Sequence, residues 1–98
     1  MRNLFAVVRT RGRAWDTSKP MRSQLEWNEH AAFMDKLADD GFIVLGGPLE
    51  DSGDTLLVFD AAGKSEINAM LSDDPWSKSG VLETKSIQGW EILLEHGK

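Results

Sequence analysis

Two histidines, His30 and His96, are the chain's only imidazoles, and it contains no cysteine. Imidazole is the side chain whose ordinary titration lies nearest neutral pH, so it is the first place to look for proton transfer. His30 stands three, four and seven positions before Phe33, Met34 and Leu37. On a helix it shares their face, and a histidine there is most often a core residue with satisfied nitrogens. A functional histidine needs a partner that fixes its tautomer and raises its basicity, commonly a carboxylate. Asp74, within Asp73-Asp74-Pro75-Trp76, is the candidate. Its plain reading is a turn residue at a helix end. Spacing alone does not bring positions 30 and 74 together. His96 lies in a polar tail and reads as solvated.

The elements that would carry these residues follow from periodicity and punctuation. Asn3 to Thr10 is rich in Leu, Phe and Val and reads as a strand. Residues 11 to 22, with Gly12, Thr17, Ser18 and Pro20, read as a long loop. Ser23-Gln24-Leu25-Glu26 matches a capping box, which predicts a helix from about Gln24. Leu25, Trp27, Ala31, Phe33, Met34, Leu37 and Ala38 give that helix a broad apolar face, and Gly41 is a natural stop. Phe42 to Leu49 and Thr55 to Phe59 read as a hairpin joined by the turn residues Asp51-Ser52-Gly53-Asp54. A short helix over Lys64 to Ser72 must end near Asp74, because a residue before proline avoids the α region. Val81 to Leu94 reads as a long final strand. Trp27 and Trp90 are expected in the core. Trp15 reads as a lid residue or a contact aromatic.

The order β-α-β-β-α-β makes an α+β fold, a ferredoxin-like antiparallel sheet with both helices on one face. A single domain is expected over residues 1–98. Phe42-Ile43-Val44-Leu45 and Leu56-Leu57-Val58-Phe59 place apolar side chains on both faces of the sheet, and soluble monomers rarely expose such a patch. A homodimer packed through the second face is therefore expected, and a monomeric mass at micromolar concentration would contradict it.

Composition sets the remaining bounds. A net charge of −5 disfavours general nucleic-acid binding. No segment approaches the roughly 20 apolar residues that span a bilayer, and Leu4 to Val8 is too short for a secretory signal. The lack of cysteine removes disulfides and thiolate nucleophiles and fits a reducing compartment, so a cytoplasmic location is expected. No metal is expected, since two distant histidines form no recognisable ligand spacing. Gly46-Gly47-Pro48 lacks the spacing of a dinucleotide or phosphate loop. Between positions 9 and 22 the chain carries Arg9, Arg11, Arg13, Lys19 and Arg22 against the single Asp16. That stretch is either a solvated basic loop balancing an acidic body or a lid over an anion. In the second case Arg9 at the strand end, with Arg11 or Arg13 on the lid, would hold a carboxylate bidentately.

His30 with Gly41 eleven positions on, then Gly46-Gly47-Pro48-Leu49, then a short helix ending in Asp74-Pro75-Trp76, resembles the YCII-related family over nearly the whole chain. The resemblance implies a dimeric α/β barrel built from two ferredoxin-like halves. It also implies a pocket in which the family's histidine and aspartate, here His30 and Asp74, form a catalytic pair. Trp76 departs from the family's usual Tyr or Phe, which implies a smaller or differently shaped pocket. Activities associated with the resemblance are lyase-type eliminations, such as dehydrochlorination of chlorinated hydroxyquinones; related barrels include muconolactone isomerases and cofactor-free monooxygenases.

Two readings of function follow. In the first the chain is a small enzyme of lyase or isomerase type that needs no cofactor and acts on a small anionic or aromatic-derived molecule. His30 is its acid or base and Asp74 the orienting group. Trp27, Pro48 and Trp76 wall the pocket, and Arg9 holds the substrate's anion. In the second, the same pocket belongs to a binding or regulatory module that leaves its ligand unchanged. A purely structural part in an assembly is a third reading, and it predicts no pocket beside His30.

Overall fold

The computed structural model describes residues 2–97. Its elements run β1 (Leu4–Arg11), a single 3-10 turn (Met21–Ser23), α1 (Trp27–Asp39), β2 (Ile43–Pro48), β3 (Thr55–Asp60), α2 (Lys64–Ser72), α3 (Pro75–Ser79) and β4 (Leu82–Gly89). The four strands form one sheet in the order β2-β3-β1-β4, with every neighbouring pair antiparallel. This is the ferredoxin-like arrangement, with α3 added between α2 and β4. None of the helices is long and apolar enough to cross a membrane among the described residues.

Strand alternation sets the two faces. In β1 the side chains of Phe5, Val7 and Arg9 are buried while those between them are half-buried. Phe5 and Val7 pack with Leu57 and Phe59 of β3, and this layer meets Leu37 of α1 and Ile67 and Leu71 of α2. Both long helices therefore cover the same face. On the other face Val58 lies opposite Ala6 and Leu45, and Leu45 is 69% exposed.

Several boundaries differ from the sequence expectation, each for a local reason. The capping box does not form, and α1 begins at Trp27 with no side-chain cap. Ser23 is taken up by the 3-10 turn, and the buried Gln24 amide is committed to the loop before it. Gln24 Nε2 donates to the carbonyls of Asp16 (2.8 Å) and Lys19 (2.9 Å), and its Oε1 accepts from the Asp16 amide (2.9 Å). The chain then turns into α1 through Glu26, whose φ of 62° is left-handed, a cost a non-glycine residue bears only when its surroundings demand it. Loop 11–22 is consequently a pinned segment. Its start is also tied down, with the Gly12 amide on the Val81 carbonyl and the Ala14 amide on the Gly80 carbonyl.

The far end of α1 behaves as expected. Gly41 is left-handed (φ 86°), its amide bonds the Ala38 carbonyl, and the Phe42 amide bonds the Leu37 carbonyl, a double closure that satisfies the last carbonyls of the helix. Helix α2 covers the expected span. Beyond it, Pro75 stops one helix and starts another, because proline at the first helical position gives up no needed donor. The last strand ends at Gly89 rather than Leu94. Gly89 already faces Phe5, and one further bond, Trp90 amide to Leu4 carbonyl, uses up the partner strand. Trp90, expected in the core, is 46% exposed for that reason.

Candidate active site

The inward phase of β1 runs Phe5, Val7, Arg9. The first two are hydrocarbon, and the third puts a guanidinium at 1% exposure into the interior. A buried cation demands a counter-charge, and Asp74 supplies it. Asp74 caps α3, accepting from the Trp76 amide through Oδ1 (3.1 Å), and is itself fully buried. Arg9 Nη1 donates to Asp74 Oδ2 at 2.7 Å. His30, one turn into α1 and 8% exposed, places Nδ1 2.8 Å from Asp74 Oδ1. Three elements far apart in sequence thus converge on one carboxylate. Arg9 Nη2 donates to the Ser77 hydroxyl, and Arg9 Nε is buried without a partner.

Burial alone would raise the Asp74 carboxyl, but the hydrogen bonds from His30 and Arg9, with the imidazole's charge and the Trp76 amide, outweigh it and hold the carboxyl below its ordinary value. Asp74 is therefore a carboxylate with acceptors only. It follows that Nδ1 of His30 carries the proton it shares with Asp74. In the neutral ring Nε2 is then the lone-pair nitrogen, and it has no hydrogen-bond partner among the described residues.

Aromatic rings surround the imidazole. Trp76 stacks on it almost parallel, at 3.8 Å between centroids and 7° between planes. Trp27 lies 5.9 Å from His30 and 5.6 Å from Trp76. Trp15 meets Trp76 edge-on at 6.0 Å. Trp76 is held by a bond from its Nε1 to the Leu25 carbonyl at 2.7 Å, just before the left-handed turn at Glu26. A Tyr or Phe has no indole N–H to make that bond, so the tryptophan gives this wall a tether a phenyl ring lacks.

A cavity of about 400 Å³ opens beside these rings, between α1, β2 and the pinned loop. His30, Trp27, Trp76 and Pro48 line it, as do Trp15 and Arg11. The structure thus brings His30, Asp74, Trp27, Trp76 and Pro48 to one place. Arg9 also borders the cavity, but in a different role from the one expected. One donor of each terminal nitrogen goes to Asp74 and Ser77, Nε is buried without a partner, and the guanidinium is 1% exposed, so its charge is balanced by Asp74. The sequence carries no mark of this, because Leu4 to Val8 is apolar in both phases and only packing decides which phase of β1 turns inward. Ser77 and the anchoring Gln24 were not singled out. Ser77 sits three positions after Asp74 and had no other mark.

Neither a protein-family model nor a curated protein matches the chain. Among solved structures it is similar to the 5-chloro-2-hydroxyhydroquinone dehydrochlorinase TftG from Burkholderia phenoliruptrix AC1100, in complex with 2,5-dihydroxybenzoquinone. The TM-score is 0.55 and the identity 21%, over 96% of this chain and 95% of that one. At that identity the likeness is one of fold: this chain is an α+β, ferredoxin-like protein.

Proposed function

We propose that the protein is a small acid–base enzyme of lyase or isomerase type, working without a cofactor in the manner of the YCII-related proteins it resembles. The observation that carries this reading is the 2.8 Å contact between His30 Nδ1 and Asp74 Oδ1 on a side chain that borders a cavity. Asp74 holds the ring in the tautomer whose Nε2 is basic. Nε2 takes a proton from a carbon acidified by a neighbouring carbonyl. The electron pair left on carbon then either expels a leaving group from the adjacent carbon or is reprotonated elsewhere by the imidazolium. The first outcome is elimination and the second isomerisation. Asp74 stabilises the imidazolium in the interval, and Arg9 keeps Asp74 ionised and fixed so that it does not take the proton itself. The fold likeness to a dehydrochlorinase adds weight to elimination within this pair.

The sheet's second face supports a further part of the reading, a homodimer closed sheet to sheet into an α/β barrel. Leu45, beside Val58 and Ala6, is left uncovered there, and Trp90, Ile92, Leu93 and Leu94 are exposed after β4. A cytoplasmic location goes with it, consistent with the cysteine-free chain. Sedimentation at micromolar concentration should return twice the chain mass; a single-chain mass would remove the barrel from the proposal.

The test of the activity is a panel of chlorinated hydroxyquinones and unsaturated lactones, followed by absorbance and chloride release. Turnover by the unsubstituted protein should fall about 10²- to 10⁴-fold in His30→Ala, the usual worth of a positioned general base. Full turnover in that variant, or return of every compound unchanged by the unsubstituted protein, would end the proposal. The second outcome, with ligands retained, would favour a binding module.

A further inference from the structure

With Arg9 sealed into the buried pair, the anion-recognising group of the cavity has to be sought elsewhere. Arg11 ends β1 on the cavity lining, and it makes no ion pair among the described residues. Its guanidinium carbon lies 4.5 Å from the centroid of Trp15. A guanidinium stacked on a ring keeps its in-plane N–H edge available for a carboxylate or phenolate. The hairpin turn makes room for it. A β-carbon on Gly53 would stand 2.8 Å from the Arg11 guanidinium carbon, and Gly53 is itself left-handed at φ 76°. Any side chain at 53 would meet both obstacles.

The geometry continues from Arg11 to the proposed base. Trp15 meets Trp76 edge-on, and Trp76 lies flat against His30. An aromatic wall thus runs from a cation at one end to an imidazole at the other. Ile43, Val44 and Pro48 supply apolar contacts on the lining. Asp35 on α1 is the lining's one carboxylate and lies outside ion-pair distance of Arg11, so it leaves the guanidinium uncompensated.

We propose that Arg11 is the anion anchor of this cavity. Its ligand is a flat, conjugated carboxylate or phenolate lying along the tryptophan wall with its charged end on Arg11. This rests on reading the cavity as a small-molecule site and supplies its substrate class.

Benzoate and benzamide, matched in shape and differing in charge, are the probes, with binding read by isothermal titration. The unsubstituted protein should prefer benzoate, and the preference should shrink as salt is raised. Arg11→Gln should weaken benzoate roughly fivefold and abolish the preference, the size expected for a partly exposed charge-assisted contact. Arg2→Gln, an exposed arginine off the lining, should change neither. No preference in the unsubstituted protein, or an undiminished one in Arg11→Gln, would overturn the proposal. His30→Ala should keep the preference; losing it there while Arg11→Gln retains it would move the anion to the imidazole and also overturn it. Binding is read without turnover, so failure of the acid–base reading leaves these outcomes standing, and failure of the anchor leaves the His30 assay standing.

Discussion

The layer between sheet and helices has two unlike ends. At one end Phe5, Val7, Leu57 and Phe59 meet Leu37, Ile67 and Leu71, and the contact is hydrocarbon throughout. At the other, Trp76, Val81 and Leu82 pack with Trp15, Met21 and Trp27 around a fully buried Asp74 and the nearly buried Arg9 and His30. The first end is closed to water, while the second borders the cavity. The first gains stability simply by excluding water. The second encloses charge, which costs free energy to desolvate and is tolerated only because each charge has a partner. The apolar end therefore holds the fold together, while the polar end spends some of that stability to hold an imidazole at a fixed angle beside a cavity.

The sharpest way to break this contrast is to make the polar end apolar in stages. Arg9→Met leaves Asp74 buried without its cation and should cost about 3–5 kcal/mol, read by urea denaturation. Adding Asp74→Leu removes the stranded charge but also the α3 cap and the partner of His30 Nδ1, so it should recover part of that loss while leaving no acid–base activity. If the double variant is as unstable as Arg9→Met, packing rather than charge explains the single variant's loss. A probe of the other end follows. Ile67→Ala, at a fully buried position, should cost about 3 kcal/mol yet leave ligand binding per folded molecule unchanged. Weakened binding at temperatures where the variant stays folded would show that the two ends are coupled.

The smallest expected effect concerns pH. The carboxyl of Asp74 is held below its ordinary value of 3.8, so the unfolded chain takes up the proton at higher pH than the folded one. The resulting stability is complete above that ordinary value and is lost as pH falls through the lowered native one. Asp74→Asn should flatten the acid limb of stability against pH in that window and leave its slope near neutrality unchanged. An identical acid limb in both proteins would remove Asp74 from the account of acid unfolding.

Most of the architecture was legible beforehand. The spans of β2, β3 and α2 follow from apolar runs, turn residues and glycine or proline punctuation, because these are local properties of the backbone. One exception is local: α3, which the sequence reading left out, is opened by the Asp74 cap and Pro75. The others are places where a distant group outweighed a local preference. The capping box at Ser23 lost to the Gln24 amide binding the loop and to the Trp76 indole claiming the Leu25 carbonyl. The final strand lost its last residues because β1 offered nothing further to pair with. At the site, His30 and Asp74 could be named from their types and from a family resemblance, whereas the inward phase of Arg9 could not, because Leu4 to Val8 is apolar in both phases.

What the residues alone determined is the order of the four strands and the two longer helices, and the list of groups able to move a proton. Only the folded chain decided that Arg9 and His30 meet on the Asp74 carboxylate, that Trp76 lies flat on the imidazole, and that Arg11 lies over Trp15 with no ion pair among the described residues. Those facts depend on atoms 44 and 65 residues apart meeting at hydrogen-bond distance. Local rules reach only a few residues, and such a meeting is set by how the whole sheet and its helices pack.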